Sequence, residues 1–142
     1  MPESRPGREL RRLVRDRARA CCEYCRSQEA FSPQPFALEH ILPRSKGGPT
    51  REDNLCWSCQ GCNGHKHVKT EGIDPVGLGP VPLFHPRAQT WDDHFAWDAS
   101  FTRLLGLTPT GRATIDTLSL NRDNLVNLRR VLHVMGEHPP AS

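Results

Sequence analysis

The fold of this chain is decided by residues 22–63, which read CEYCRSQEAFSPQPFALEHILPRSKGGPTREDNLCWSCQGCN. The stretch opens with Cys22-x-x-Cys25 and closes with Cys59-x-x-Cys62. Four thiolates at this spacing form a closed tetrahedral zinc site, which leaves no position for water or substrate. We therefore predict a structural zinc ion that joins the start of the segment to its end.

Two further cysteines leave other pairings open. Cys21-x3-Cys25 and Cys56-x-x-Cys59 are both present in the sequence. We prefer the outer assignment because both of its pairs keep the C-x-x-C spacing and leave one spare cysteine beside each. The other alternative is a set of free, buried thiols, since cysteine behaves as a small apolar residue.

Composition limits the size of the hydrophobic core and bears on the cellular compartment. The chain has 142 residues, of which 36% are hydrophobic, so it has room for one compact domain with a packed extension. A structural metal helps a chain with so little apolar surface to fold. No apolar run is long enough to span a membrane, and the N-terminus lacks the apolar core of a secretory signal. We expect a cytoplasmic protein, where cysteines are metal ligands more often than disulfides.

Positive charge is concentrated before the first cysteine pair. The net charge of +3 fits a polyanionic partner. The basic N-terminal residues, opposed by Glu3, Glu9 and Asp16, are Arg5, Arg8, Arg11, Arg12, Arg15, Arg17 and Arg19. All of these arginines except Arg5 fall in a segment of helical periodicity over residues 8–20.

The hydrophobic pattern indicates a mixed α+β protein. Residues 36–42 form a short apolar run that Pro43 ends, which predicts a strand with a second one at 54–57. A helix is predicted to start at Cys59. Beyond residue 70 we expect an extended Pro- and Gly-rich segment, a helical stretch over 91–97, a short alternating stretch over 101–107 and a final helix capped by Asn121 and stopped by Gly136.

Four side chains within the deciding segment carry chemistry. Glu39 supplies a carboxylate, His40 an imidazole, and Asn54 and Asn63 supply amides. Carboxylate and amide oxygens suit a hard cation such as Mg²⁺ or Mn²⁺. A neutral histidine takes a proton from an attacking water, so these groups together suit phosphodiester hydrolysis. Without the neighbouring motifs, a partly buried strand histidine beside an incidental acid would be the simpler interpretation.

The combined motif series resembles the HNH nucleases, whose fold is the ββα-metal motif. The resemblance covers residues 20–70 and rests on the two cysteine pairs together with Glu39-His40-Ile41-x-Pro43, Gly47-Gly48, Asn54-Leu55 and Asn63-x-x-Lys66. It implies that His40 is the general base and that Glu39 and Asn63 bind the catalytic metal. It also implies that Asn54 holds the loop and orients the His40 ring.

The chain departs from the family pattern at two of these positions. Family members often have Asp at the position of Glu39 and a third His at the position of Asn63. His67, four residues after Asn63, is a candidate for a further metal ligand. The residues that we expect to contact nucleic acid are Lys66, Arg44 and Lys46.

These observations predict a zinc-stapled ββα-metal core with a small mixed C-terminal extension. The expected division is a basic helix over 1–20, a nuclease core over 21–70 and an extension over 71–142. The expected reaction is hydrolysis of DNA, with RNA as the alternative substrate, using Mg²⁺ or Mn²⁺ beside the structural Zn²⁺. The sequence predicts no oligomeric state. One rival is an inactive nucleic-acid-binding module of the same fold, and the other is a zinc-ribbon-like adaptor.

Overall fold

The structure is a computed structural model that describes residues 7–141. Glu3 and Arg5 of the basic segment therefore lie outside the described residues. Helix α1 spans Arg8–Arg17, three residues shorter than predicted. It ends there because Arg19 and Ala20 adopt left-handed backbone angles, with φ near +56° and +55°. The buried Val14 faces the interior, and α1 packs against the second strand of the chain.

A β-hairpin and a short helix form the centre of the molecule. Strand β1 (Ala37–His40) pairs antiparallel with β2 (Leu55–Ser58), so that Glu39 lies opposite Cys56 and His40 opposite Leu55. Helix α2 (Gln60–Lys66) follows directly, and the Cys59 thiol caps it by accepting a hydrogen bond from the backbone N–H of Cys62. This strand–strand–helix order confirms the predicted α+β class and its ββα arrangement.

The C-terminal extension contains two more hairpins and three helices. Their bounds are β3 Glu71–Ile73, β4 Pro80–Pro82, α3 Trp91–His94, β5 Phe95–Trp97, β6 Leu104–Gly106, α4 Pro109–Leu118 and α5 Asp123–Val134. β3 pairs with β4, and β5 pairs with β6, both antiparallel.

Two expectations for the extension are corrected, and one helix of the extension was not predicted. The helix predicted over 91–97 stops at His94, and the chain continues as a strand that buries Phe95. Helix α4 was not predicted, although Thr108 caps it by accepting from the N–H of Gly111, with Pro109 in its first turn. Asn121 does not cap the last helix, because its amide bonds both backbone groups of Leu104 on β6.

One continuous core joins the central hairpin to the extension. Tyr24 and Trp57 from the segment bounded by the cysteine pairs share this core with Phe84, Phe95 and Leu118 from the extension. Phe84 packs edge-on against both Tyr24 and Phe95. Among the helices of residues 7–141, none is long and apolar enough to cross a membrane.

Candidate active site and metal centre

Four buried thiols meet at the base of the central hairpin. The Sγ atoms of Cys22, Cys25, Cys59 and Cys62 all lie within 4.8 Å of one another. Tetrahedral zinc with Zn–S bonds of about 2.3 Å requires sulfurs about 3.8 Å apart, and the Cys25 and Cys59 sulfurs are separated by 3.7 Å. The donor set and its spacing therefore fit a closed zinc site.

The two spare cysteines lie outside this cluster. The Cys21 thiol points to the backbone carbonyl of Arg19 at 3.5 Å. The Cys56 thiol donates to the Glu39 carboxylate at 3.3 Å and lies 3.6 Å from the Tyr24 hydroxyl. The outer pairing preferred from the spacing is the one that the structure brings together.

Arg122, between α4 and α5, approaches the cysteine cluster from the extension. Its guanidinium donates to the sulfurs of Cys62 at 3.6 Å and Cys59 at 3.5 Å. Burial disfavours the charged guanidinium, but the adjacent thiol groups outweigh it and raise the pKa of Arg122. Gly61 makes this approach possible, because a Cβ atom there would lie 2.4 Å from an Arg122 nitrogen.

A second arginine ties helix α5 to the same region. Arg129 is buried and donates to the backbone carbonyl of Cys25 at 3.3 Å and to that of Thr102 at 3.1 Å. Its guanidinium carbon lies 5.0 Å from the Trp97 ring centroid. Neither Arg122 nor Arg129 belonged to a recognisable motif, so sequence reasoning assigned them no role at the metal centre.

Asn54 holds the loop between the two strands. Its Oδ1 accepts from the N–H of Leu42 at 2.9 Å, and its Nδ2 donates to the carbonyls of Leu42 at 3.0 Å and Pro49 at 2.9 Å. The side chain is buried. The loop-holding part of its predicted role corresponds to these three bonds.

The two glycines in this loop are needed for different structural reasons. Gly47 has φ of +85°, a left-handed conformation that glycine adopts without steric cost. A Cβ atom at Gly48 would lie 1.7 Å from the Leu42 carbonyl oxygen, so only glycine fits there. Together they let the loop close under the end of β1.

His40 lies on an open groove at the end of β1. Its Nε2 is 2.8 Å from the Thr50 hydroxyl oxygen, which fixes the orientation of the ring. The groove has a volume of about 720 Å³, and its polar lining includes Arg11, Arg44 and Gln60. An imidazole on an accessible, positively charged groove is suited to accept a proton from water beside a phosphate.

Arg11 was predicted only as part of the basic segment, and the structure places it in the wall of this groove. Its guanidinium donates to the Phe36 carbonyl at 3.2 Å and lies 4.8 Å from the centroid of the Trp57 ring. These contacts hold a cation beside the histidine. No short sequence motif links residues so far apart as Arg11 and His40.

Glu39, in contrast, points into the interior. Its side chain is 4% exposed, and Oε1 lies 2.8 Å from the Lys66 ammonium. Tyr24 donates to the same carboxylate at 3.3 Å, and Cys56 donates to its other oxygen. Burial raises the pKa of Glu39, and the charge of Lys66 opposes that effect. The burial and the Glu39 charge also raise the pKa of Cys56.

Lys66 completes this buried network. Its side chain is 1% exposed, and the ammonium also donates to the Ile41 carbonyl at 2.9 Å. A lysine placed in this way does not reach a phosphate at the surface, so its location gives no support to the predicted nucleic-acid contact. Its charge instead compensates Glu39 and fixes the end of β1 to α2.

The remaining predicted residues lie near the ends of their elements. Asn63 is half-buried on α2, one turn before Lys66. His67 has left the helix, with φ of +50°, and is exposed. Arg44 and Lys46 are exposed in a single 3-10 turn, Arg44–Lys46, after β1. Among residues 7–141, the four cysteines are the only group of three or more His, Cys, Asp or Glu side chains placed to hold a metal ion.

Comparison with known proteins agrees with this class of fold and site. Residues 22–69 match the family model described as HNH endonuclease. This segment, a ββα unit with a buried four-cysteine cluster, is an HNH endonuclease domain. Neither the curated proteins nor the solved structures give a match to the chain.

Proposed function

We propose that this protein is an endonuclease that hydrolyses phosphodiester bonds of DNA, with His40 as the general base. The observation that carries the proposal is the position of His40, held by Thr50 on an open groove within the segment that matches the HNH family. A neutral imidazole accepts the proton of an attacking water through its unprotonated ring nitrogen.

The two arginines of the groove are the proposed phosphate ligands. Arg11 and Arg44 line the same groove as His40. A guanidinium binds phosphate through two parallel hydrogen bonds and keeps its charge at any physiological pH. Contacts of this type recognise the DNA backbone, so they give salt-sensitive binding with little sequence preference.

The proposed structural cofactor is Zn²⁺, bound by Cys22, Cys25, Cys59 and Cys62. All four thiols are buried and mutually close, and the closed donor set leaves no open position for substrate. Zinc there would stabilise the fold by joining the loop before β1 to the start of α2. It would take no part in proton transfer.

A catalytic Mg²⁺ or Mn²⁺ is supported by the family match and by donor type, but not by the placement of Glu39. The Glu39 carboxylate is engaged by Lys66, Tyr24 and Cys56. The residues as arranged therefore do not form an open carboxylate site, and a divalent ion at Glu39 and Asn63 would have to replace Lys66 as the partner of the carboxylate. His40 and the two groove arginines do not depend on that exchange.

The ion pair between Glu39 and Lys66 favours one second candidate function, which is a DNA-binding module that does not cleave DNA. Such a protein would keep the groove arginines and the cysteine cluster while lacking a metal-activated reaction. It differs from the proposed nuclease in one measurable property, which is metal-dependent cleavage.

The test is cleavage of supercoiled plasmid by zinc-loaded protein, with Mg²⁺, with Mn²⁺ and without either ion. His40→Ala is compared with wild type, and His65→Ala, an exposed histidine on α2, is the matched control. Nicking by wild type and His65→Ala that is lost in His40→Ala supports the proposal. Cleavage that persists in His40→Ala contradicts the assignment of the base. DNA binding by wild type without cleavage under any metal condition identifies the binding module.

A further inference from the structure

Helix α1 lies outside the segment that matches the HNH family, and it carries five arginines against two acidic residues. Arg8, Arg12 and Arg15 are spaced by four and three residues, so they share one face. Glu9 and Asp16 lie at one edge of that face, three residues before and four residues after Arg12. The face therefore keeps an excess of positive charge, with the two acidic residues along one edge of it.

Arg11 connects this face to the groove of His40. Viewed down the helix axis, Arg11 lies between the buried Val14 on one side and Arg8 and Arg12 on the other. Its guanidinium lines the groove and is fixed by the Phe36 carbonyl and the Trp57 ring. The positive surface of α1 is therefore continuous with the groove.

Arg15 is set apart from the other three arginines. Its Nε lies 3.0 Å from a Glu29 carboxylate oxygen. The side chains that remain on the face are Arg8, Arg11 and Arg12, all of which are exposed. We call these three residues the α1 arginine face.

We propose that the α1 arginine face binds backbone phosphates of duplex DNA beside the groove of His40. The inference rests on the proposed function, because it assigns the polyanion that enters that groove. Arg8 and Arg12 are one helical turn apart, about 6 Å along the helix axis. Phosphates of one DNA strand follow each other every 3.4 Å or so along the duplex, so the two guanidiniums span about two phosphate steps.

The chemistry favours DNA over an acidic protein as the occupant. Several guanidiniums on one helix face, next to a rigidly held one, match a regular row of phosphates better than scattered carboxylates. The face also adjoins the proposed general base of an HNH domain, where a nucleic-acid backbone must lie if that base acts on it. The N-terminal helix is thus a part of the substrate-binding surface that the family segment alone does not contain.

The test is the salt dependence of binding to a short fluorescein-labelled DNA duplex, measured by anisotropy without added divalent ions. All proteins carry His40→Ala, so binding is measured without hydrolysis. Arg8→Gln/Arg12→Gln is compared with Arg103→Gln/Arg130→Gln, which removes the same charge from two exposed arginines of the extension. Each lost phosphate contact lowers the slope of log K against log salt by about 0.9. We expect a decrease of about 1.8 for the α1 variant and none for the control.

Each outcome bears on the inference. A slope that is unchanged in Arg8→Gln/Arg12→Gln overturns it, and so does an equal decrease in the control, which would show that only net charge matters. Absence of salt-dependent duplex binding, or the same slope difference appearing only on RNA, overturns the assignment to DNA. Because cleavage is not measured here, a slope decrease confined to the α1 variant supports the arginine face even if the plasmid assay shows no nuclease activity.

Discussion

Glu39 and His40 are neighbours in the chain, yet they face different environments. Successive side chains of a strand point to opposite faces, so the imidazole reaches the groove while the carboxylate enters the core. His40 therefore has access to water, whereas Glu39 stabilises the packing of the hairpin against α2. Substitutions at the two positions should differ accordingly, one affecting chemistry and the other affecting folding.

The first residue-scale prediction concerns the buried pair of Glu39 and Lys66. Lys66→Met leaves the Glu39 carboxylate without its cation, and removal of one partner of a buried ion pair costs about 3–5 kcal/mol. Adding Glu39→Gln to Lys66→Met removes the uncompensated charge, so we expect the double variant to regain most of that loss. The measurement is urea unfolding of both variants in the presence of zinc.

The pH dependence of Lys66→Met gives a separate check on the same pair. Burial raises the pKa of Glu39 already in the presence of Lys66, and loss of the ammonium raises it further. The folded state then holds a proton that the unfolded state releases, so stability decreases as pH rises from the unfolded pKa of Glu, about 4.3, through the folded one. We expect the stability difference from wild type to grow between about pH 5 and pH 8. A difference that is constant over this range would contradict the further rise of the Glu39 pKa in the variant.

At the scale of elements, local patterns predicted some boundaries and missed others for identifiable reasons. The C-x-x-C spacing predicted which four thiols come together, because each pair is defined by four adjacent residues. Helix α4 was missed because its helical pattern is weak, and its cap at Thr108 was not recognised. The ion pair between Glu39 and Lys66 was not predictable, because it depends on how α2 packs against β1, and no local spacing encodes that packing.

The loop between β1 and β2 supplies the element-scale prediction. Gly48→Ala places a Cβ atom 1.7 Å from the Leu42 carbonyl oxygen, so the loop must move away from the bonds that Asn54 makes. Overpacking of this type costs about 1–3 kcal/mol or more. Gly47→Ala is the matched control, because a Cβ atom there meets no other atom within 4 Å and the variant bears only the left-handed backbone cost of about 1–2 kcal/mol.

We expect Gly48→Ala to lose more stability than Gly47→Ala in thermal unfolding. We also expect it to lose more plasmid cleavage than Gly47→Ala at a temperature where both are folded, since the loop carries Thr50 and Arg44 beside His40. Equal effects of the two substitutions would show that the close approach at Leu42 does not position the groove.

At the scale of the whole molecule, the cysteine cluster is where the HNH segment and the extension meet. Two of its sulfurs receive hydrogen bonds from Arg122, and Arg129 binds the backbone carbonyl of Cys25. Four thiolates with one Zn²⁺ carry a net charge of −2 in a buried site, so nearby guanidiniums stabilise that charge. The extension therefore contributes contacts to the cysteine cluster as well as to the hydrophobic core.

The last prediction tests this contribution of the extension. Arg122→Gln removes the positive charge from the sulfurs, and loss of an outer-shell partner typically lowers metal affinity about 10- to 100-fold. Arg122→Lys keeps the charge and should retain part of the affinity, whereas Arg130→Gln, on α5 with its guanidinium bonded to Asn127, should leave it unchanged. Zinc affinity is measured by competition with a chromogenic chelator, and Co²⁺-substituted protein reports thiolate coordination by its absorption spectrum. If Arg122→Gln and Arg130→Gln release zinc equally, the Arg122 guanidinium contacts do not stabilise the bound metal.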